Sequence, residues 1–189
     1  MSWKKTARRS AAILAILVLS VLAGFLYSMI WERVDRVRYP KEYQEYVSEY
    51  SVAYGVPEYI IYAVIKTESD FVSNAVSDAG AVGLMQITPD TFDWISMLMK
   101  EDIDPGMMYD PGTNIRYGSY LLSHLYMRYN RWDVVFAAYN AGMNRADQWL
   151  ADPACVDENG ELVHIPFEET EKYVKKVNDA IDVYRRLYY

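Results

Sequence analysis

Tyr59-Ile-Ile-Tyr-Ala-Val-Ile-Lys-Thr-Glu68-Ser69 is the stretch on which the reading of this chain turns. As a helix it puts Ile61, Val64, Ile65 and Glu68 at i, i+3, i+4 and i+7, on one face. Three of those four are aliphatic, so the face belongs to a core. A carboxylate there is costly to ionise, and its pKa is expected to rise. A carboxyl that stays protonated near neutral pH is what acid-catalysed bond cleavage needs. The pattern alone leaves a second reading, a helix-end glutamate facing water, as most glutamates do.

Working outward, helical spacing dominates. From Lys41, the residues Tyr43, Tyr46, Val47, Tyr50 and Tyr54 form one stripe that Gly55 stops. Pro57 suits the first turn of the helix carrying Glu68. Residues 69–82 hold Gly, Ser, Asp and Asn and read as a structured loop. Thr88-Pro89 opens a helix with Phe92, Ile95 and Met99 inward. Residues 101–112 read as loop, and 114–129 as a strong helix whose face includes Ile115, Gly118, Leu121, Leu122 and Leu125. A shorter helix spans 132–139, with Gly142 as its stop. Residues 144–150 add a turn or two, and 151–166 form a loop with a small hairpin at Asn159-Gly160. A final helix spans 167–188. No useful period-2 run exists, so the fold is expected to be mainly α, with one globular domain over residues 41–189.

The N-terminus is of another kind. Ala11 to Trp31 carries no charged side chain over 21 residues, long enough to cross a bilayer as a helix. Lys4, Lys5, Arg8 and Arg9 precede it, which makes residues 1–10 a cytoplasmic basic tail. Residues 11–31 are thus expected to be a transmembrane anchor, and 32–40 a charged connector. A cleaved signal peptide fits less well, because the run is long and lacks a small-residue cleavage site near its end.

From Glu32 onward the chain carries all 26 Asp and Glu against 15 Lys and Arg, a net charge of −11. That argues against nucleic-acid binding, which needs a basic footprint. Cys155 is the only cysteine, and His124 and His164 are the only histidines. An intrachain disulfide is therefore impossible, and a zinc site is not expected. Nothing near Cys155 would make its thiol reactive.

Three further segments carry candidate chemistry. Gly83-Leu84-Met85-Gln86 is either a plain turn with Leu84 and Met85 in the core, or a tight backbone segment beside a ligand with Gln86 as hydrogen-bonding group. Tyr139-Asn140 is either core plus helix end, or the aromatic face and amide that suit a sugar. Glu169 and Tyr173 read as a helix-start acid and a core tyrosine, or as part of the same site.

Taken together and in order, these segments resemble the soluble-lytic-transglycosylase family. The residues that carry the resemblance are Glu68-Ser69, Ser77, Gly80-Ala81-Val82-Gly83-Leu84-Met85-Gln86-Ile87-Thr88-Pro89, Ala137-Ala138-Tyr139-Asn140-Ala141-Gly142, and Ile165-Pro166-Phe167-Glu168-Glu169-Thr170 with Tyr173-Val174. Each motif alone is weak; four in this order and spacing are specific. The resemblance spans residues 41–189 and implies a lysozyme-like fold. Val82 stands where the family often carries Ser or another small residue.

The resemblance implies a peptidoglycan lytic transglycosylase that cleaves the β-1,4 bond between N-acetylmuramic acid and N-acetylglucosamine. Glu68 matches the single catalytic acid/base. Ser77, Gln86, Tyr139, Asn140, Glu169 and Tyr173 match substrate-binding residues of the cleft. The implied partners are glycan strands, and the membrane through residues 11–31; no metal, cofactor or nucleic acid is implied, and no protein partner is named. The catalytic domain is expected outside a single-pass cell-membrane anchor. Two alternatives stand beside this: a hydrolytic muramidase on the same fold, and a peptidoglycan-binding scaffold without activity. A membrane protein using its tyrosine stripes for a partner would leave the motifs unexplained.

Overall fold

The computed structural model describes residues 2–189, with side chains from Ile16 onward. It divides into two compact units, residues 1–40 and 41–189.

The first unit is one long helix, α1 (Ser2–Arg38). Its segment Ile16–Arg38 contains an 18-residue window with a mean hydropathy of 1.5 and is long and apolar enough to cross a membrane. The expected tail 1–10 and the first residues of the expected span, 11–15, lie outside the described side chains. The expected connector is helical up to Arg38. No breaker occurs before Pro40, and Arg36 pairs with Glu32 one turn back at 2.8 Å.

The second unit is built from α2 (Gln44–Tyr54), α3 (Glu58–Ser69), α4 (Pro89–Met99), a 3₁₀ turn (Pro105–Tyr109), α5 (Pro111–Tyr129), α6 (Trp132–Ala141), α7 (Met143–Ala151) and α8 (Glu168–Tyr188). Among the described residues there is no strand, only isolated bridges at Val76–Val82, Val82–Ile87 and Val156–Leu162. The last of these closes the small hairpin whose turn is Asp157–Gly160.

Helix α3 is the centre of the packing. Every residue from Ile60 to Ile65 is buried, more than one amphipathic face would give. The helix packs against α2 and α8, so two sides are covered. Each aliphatic side chain so enclosed contributes roughly 1.5–3 kcal/mol. Helix α5 starts three residues earlier than its apolar pattern implies. Asp110 caps it, accepting from the Thr113 N–H at 2.8 Å, and Pro111 fills the first turn. On α5, Gly118 leaves room for Met85; a Cβ there would collide with the Met85 side chain. Met85, in the loop that follows α3, is thereby seated against α5.

Candidate active site

Glu68 lies in the last turn of α3, and the chain turns sharply just after it. Asp70 and Phe71 both hold positive φ, 50° and 66°. Non-glycine residues rarely adopt that conformation, and two in succession must be held by their surroundings. Phe71 is held by burial against Tyr62, with ring centroids 6.4 Å apart. Asp70 ends the helix with its N–H on the Lys66 carbonyl and its carboxylate on the Lys66 ammonium. It therefore serves the helix end. The turn sends residues 72–88 back across the end of α3.

That loop is fastened at Gly83–Gln86. Gly83 has φ 80°, and a Cβ there would overlap the Asn114 side chain. Asn114 is buried, and its amide makes three bonds. It accepts from the Met85 N–H at 2.7 Å and donates to the Val82 and Met108 carbonyls, each at 2.9 Å. Ser69 donates to the Leu84 carbonyl at 2.8 Å, and Tyr139 to the Met85 carbonyl at 2.8 Å. Three elements thus grip one turn: α5 through Asn114, α3 through Ser69 and α6 through Tyr139. Val82 is buried and bridges Val76 and Ile87, so its side chain belongs to the packing.

The result is a cleft of about 460 Å³. Its walls bring together Glu68, Ser77, Gln86, Tyr139, Asn140 and Glu169, six of the seven residues singled out from the sequence. Tyr173 is the seventh. It is 7% exposed and lies behind Glu68 rather than in the wall. Asp78, Thr91 and Leu121 also line the cleft. The sequence does not single out Asp78 or Thr91, and shows Leu121 only as part of an apolar helix face, because loop polarity and helix periodicity do not say which residues meet across a fold.

The wall is partly committed to itself. Gln86 donates its amide to the Ala75 and Gly83 carbonyls at 3.2 and 2.9 Å, which leaves its carbonyl oxygen for a ligand. The Ser77 oxygen accepts from the Ala81 N–H at 3.0 Å and keeps its proton to donate. The Asn140 oxygen accepts from the Thr170 hydroxyl at 2.8 Å, leaving its amide N–H groups.

Glu68 has only partial exposure, towards the cleft, and protein crowds its carboxyl on most sides. Burial pushes its pKa up to about 7. The Tyr173 hydroxyl acts in the opposite sense by favouring the carboxylate. That hydroxyl is buried and has no hydrogen-bond partner of good geometry, so it faces Glu68 with its proton uncommitted. Burial, and then the Glu68 charge, raise the Tyr139 and Tyr173 hydroxyls well above the usual tyrosine range. Both therefore remain neutral beside Glu68. A carboxyl balanced near neutrality in a polar cleft is equipped to give up a proton and take one back.

Residues 45–159 match the profile of the transglycosylase SLT domain. The soluble lytic murein transglycosylase of Escherichia coli K12 is 33% identical over 163 residues, covering 84% of this chain and 25% of that protein. The membrane-bound lytic murein transglycosylase C of Salmonella arizonae is 31% identical over 163 residues, covering 74% of this chain and 45% of its own length. Among solved structures, the 70-kDa soluble lytic transglycosylase of Escherichia coli superposes with a TM-score of 0.74 at 33% identity, over 80% of this chain and 25% of that one. An inactive glutamate-to-glutamine mutant of the lytic transglycosylase Slt from Pseudomonas aeruginosa gives a TM-score of 0.72 at 30% identity, over 80% and 25%. The chain thus spans about a quarter of the length of the soluble relatives. The fold is the mainly α, lysozyme-like one expected from the sequence.

Proposed function

The chain belongs to the transglycosylase SLT domain family, and from that premise we propose that it is a membrane-anchored peptidoglycan lytic transglycosylase. The observation that carries the proposal is Glu68: one carboxyl, raised by burial, in a cleft walled by hydroxyls, amides and an aromatic ring. Such walls suit a sugar, which is apolar on its ring face and hydroxyl-rich at its edge. The inactive glutamate mutant among the similar structures is in keeping with this role.

In the proposed reaction, neutral Glu68 protonates the glycosidic oxygen between N-acetylmuramic acid and N-acetylglucosamine, and the bond to C1 breaks. The resulting carboxylate then takes the proton of the C6 hydroxyl on the same muramic acid. The C6 oxygen closes on C1 to give a 1,6-anhydro ring, and Glu68 is again protonated. The first proton leaves on the departing N-acetylglucosamine, the C6 proton replaces it on Glu68, and no water is consumed. Ordinary glycosidases need two carboxyls because water or the enzyme attacks C1. Here the substrate supplies the attacking oxygen, so one group serves both steps. Tyr173 steadies the carboxylate between them, while Ser77, Gln86, Tyr139, Asn140 and Glu169 hold the sugars.

Asp78 and Glu169, both exposed in the same wall, keep a hydrolytic reading in play, since either supplies a second carboxylate. The products decide. The full chain in detergent is incubated with purified peptidoglycan, and the released muropeptides are weighed by mass spectrometry. Products lighter by one water than the reducing forms are expected. Fully hydrated products would replace the proposal with a hydrolase, and no products from a folded, glycan-binding protein would replace it with a scaffold.

The membrane arrangement is part of the proposal. The span around Ile16–Arg38 anchors the chain, the basic residues before it stay in the cytoplasm, and the acidic unit lies outside with the wall.

A further inference from the structure

The globular unit is strongly acidic, yet cations collect where the chain enters it and at the end of α8. Residues 33–41 hold four cations and one acid, and residues 183–189 hold two arginines, three tyrosines and no acid. The fold brings Lys41 and the end of α8 together. The Lys41 ammonium lies 4.8 Å from the centre of the Tyr189 ring and 5.7 Å from that of Tyr188. Tyr189 stands edge-on to Tyr59 of α3, with centroids 5.7 Å apart. The Arg185 guanidinium lies 5.4 Å from the centre of the Tyr59 ring. The Glu58 carboxylate among them is taken up by Ser48, Lys41 and Tyr189. What this rim turns outward is therefore guanidinium and phenol: Arg185 and Arg186 are exposed, and Tyr189 is 57% exposed.

Tyrosine and arginine settle well in a phospholipid headgroup layer, the ring at its apolar boundary and the guanidinium among the phosphates. Chain length brings the rim to that layer. With residues 11–31 in the hydrocarbon, the helix from Glu32 to Arg38 rises about 10 Å, a little beyond the headgroups. Lys41 follows three residues later, a reach of about 10 Å at most. We propose that the rim of Tyr59, Arg185, Arg186, Tyr188 and Tyr189 around Lys41 is a membrane seat, which rests on anionic phospholipid headgroups of the outer leaflet. The inference rests on the membrane-anchored reading above. Helix α3 runs from the rim at Glu58 to the cleft at Glu68, a rise of about 15 Å. A seated rim thus confines the cleft to glycan lying next to the bilayer.

The test uses the full chain, one molecule per nanodisc, in discs of phosphatidylcholine mixed with phosphatidylglycerol. Cys155, the only cysteine, is buried and is removed by Cys155→Ala. A nitroxide is then placed through Arg186→Cys on the rim or Asn159→Cys in the hairpin turn, both exposed positions. Electron paramagnetic resonance reads the access of a water-soluble nickel chelate to each label. The label at 186 is expected to be several-fold less accessible than the label at 159. Arg185→Glu is expected to lower the ratio of seated to free rim roughly 25-fold, which raises access at 186 towards that at 159. Arg185→Gln removes the charge without reversing it and is expected to fall between; it carries the test if the glutamate variant does not fold. Equal access at both positions, or protection at 186 that survives both variants, overturns the seat. Full protection in phosphatidylcholine alone or in a lipid-free amphipathic polymer also overturns it, and assigns the shielding to the fold or a second copy. A chain that does not stay in the discs overturns the anchored reading, and the seat with it.

Discussion

Two carboxyl groups on α3, Glu58 near its start and Glu68 near its end, are both drawn partly into the protein, with opposite results. At Glu58, burial acts to raise the pKa, but three donors outweigh it. Ser48 donates at 2.5 Å, Tyr189 at 2.5 Å and the Lys41 ammonium at 3.1 Å, and the group ends below its ordinary value. Lys41 is itself enclosed by the rings of Tyr62, Tyr188 and Tyr189. At Glu68, burial meets a single tyrosine hydroxyl and no cation, and the pKa goes up to about 7. The same side chain on the same helix is a structural anion at one end and a reactive acid at the other. What separates them is the presence of donors and a cation, not depth alone.

The sharpest way to break the contrast is to remove the proton Glu68 carries. Glu68→Gln keeps the shape and is expected to cut release of anhydro muropeptides roughly 10³-fold or more, with circular dichroism unchanged. Wild-type turnover in that variant would end the assignment.

Next in size is the stability cost of charging Glu68. Its folded pKa lies above its unfolded value, so its contribution is fully present below about 4.5 and is lost as pH rises through about 7. The wild type is expected to lose about 3 kcal/mol relative to Glu68→Gln between pH 4.5 and pH 8. Denaturant melts of the two proteins at several pH values measure it; parallel stability curves would contradict the raised pKa.

Glu58 has the opposite sign. Its contribution is present above its unfolded pKa and is lost as pH falls through the lower folded one. Lys41→Met, which strips the cation from that cluster, is expected to cost about 1–2 kcal/mol at neutral pH. Muropeptide release at a temperature where the variant is folded is expected to be unchanged. A large loss of activity there would show that the two ends of α3 are coupled.

The smallest effect belongs to Tyr173→Phe. Removing the one group that favours the Glu68 carboxylate moves its pKa further up. The alkaline limb of kcat/KM, where the acid form is lost, is expected to shift to higher pH, with a few-fold change in rate. A shift to lower pH would contradict the placement of Tyr173.

How much of this was legible in the sequence follows the range of the interactions. The helices, and Glu68 on an apolar face, are local patterns that spacing reveals. Asn114, which fixes the Gly83–Gln86 turn, shows nothing local, because its three partners lie on a distant loop and a 3₁₀ turn. Tyr173 is marked in the sequence by the resemblance alone; by pattern it is a core tyrosine, and only the packing of α8 on α3 brings its hydroxyl to Glu68. Asp78 and Thr91 join the cleft only through the path of the chain after Phe71, and two adjacent non-glycine residues in the left-handed region give no sequence signal. The helical run to Arg38 is hidden for another reason: a charged stretch reads as a linker unless its i,i+4 pair is noticed.

The most direct test of the contrast is an NMR titration of isotope-labelled glutamate side-chain carboxyls, assigned with Glu58→Gln and Glu68→Gln. Glu68 is expected to titrate at about 7 and Glu58 below 4.5. A Glu68 that titrates at 4.5 or lower, beside or below Glu58, would contradict it.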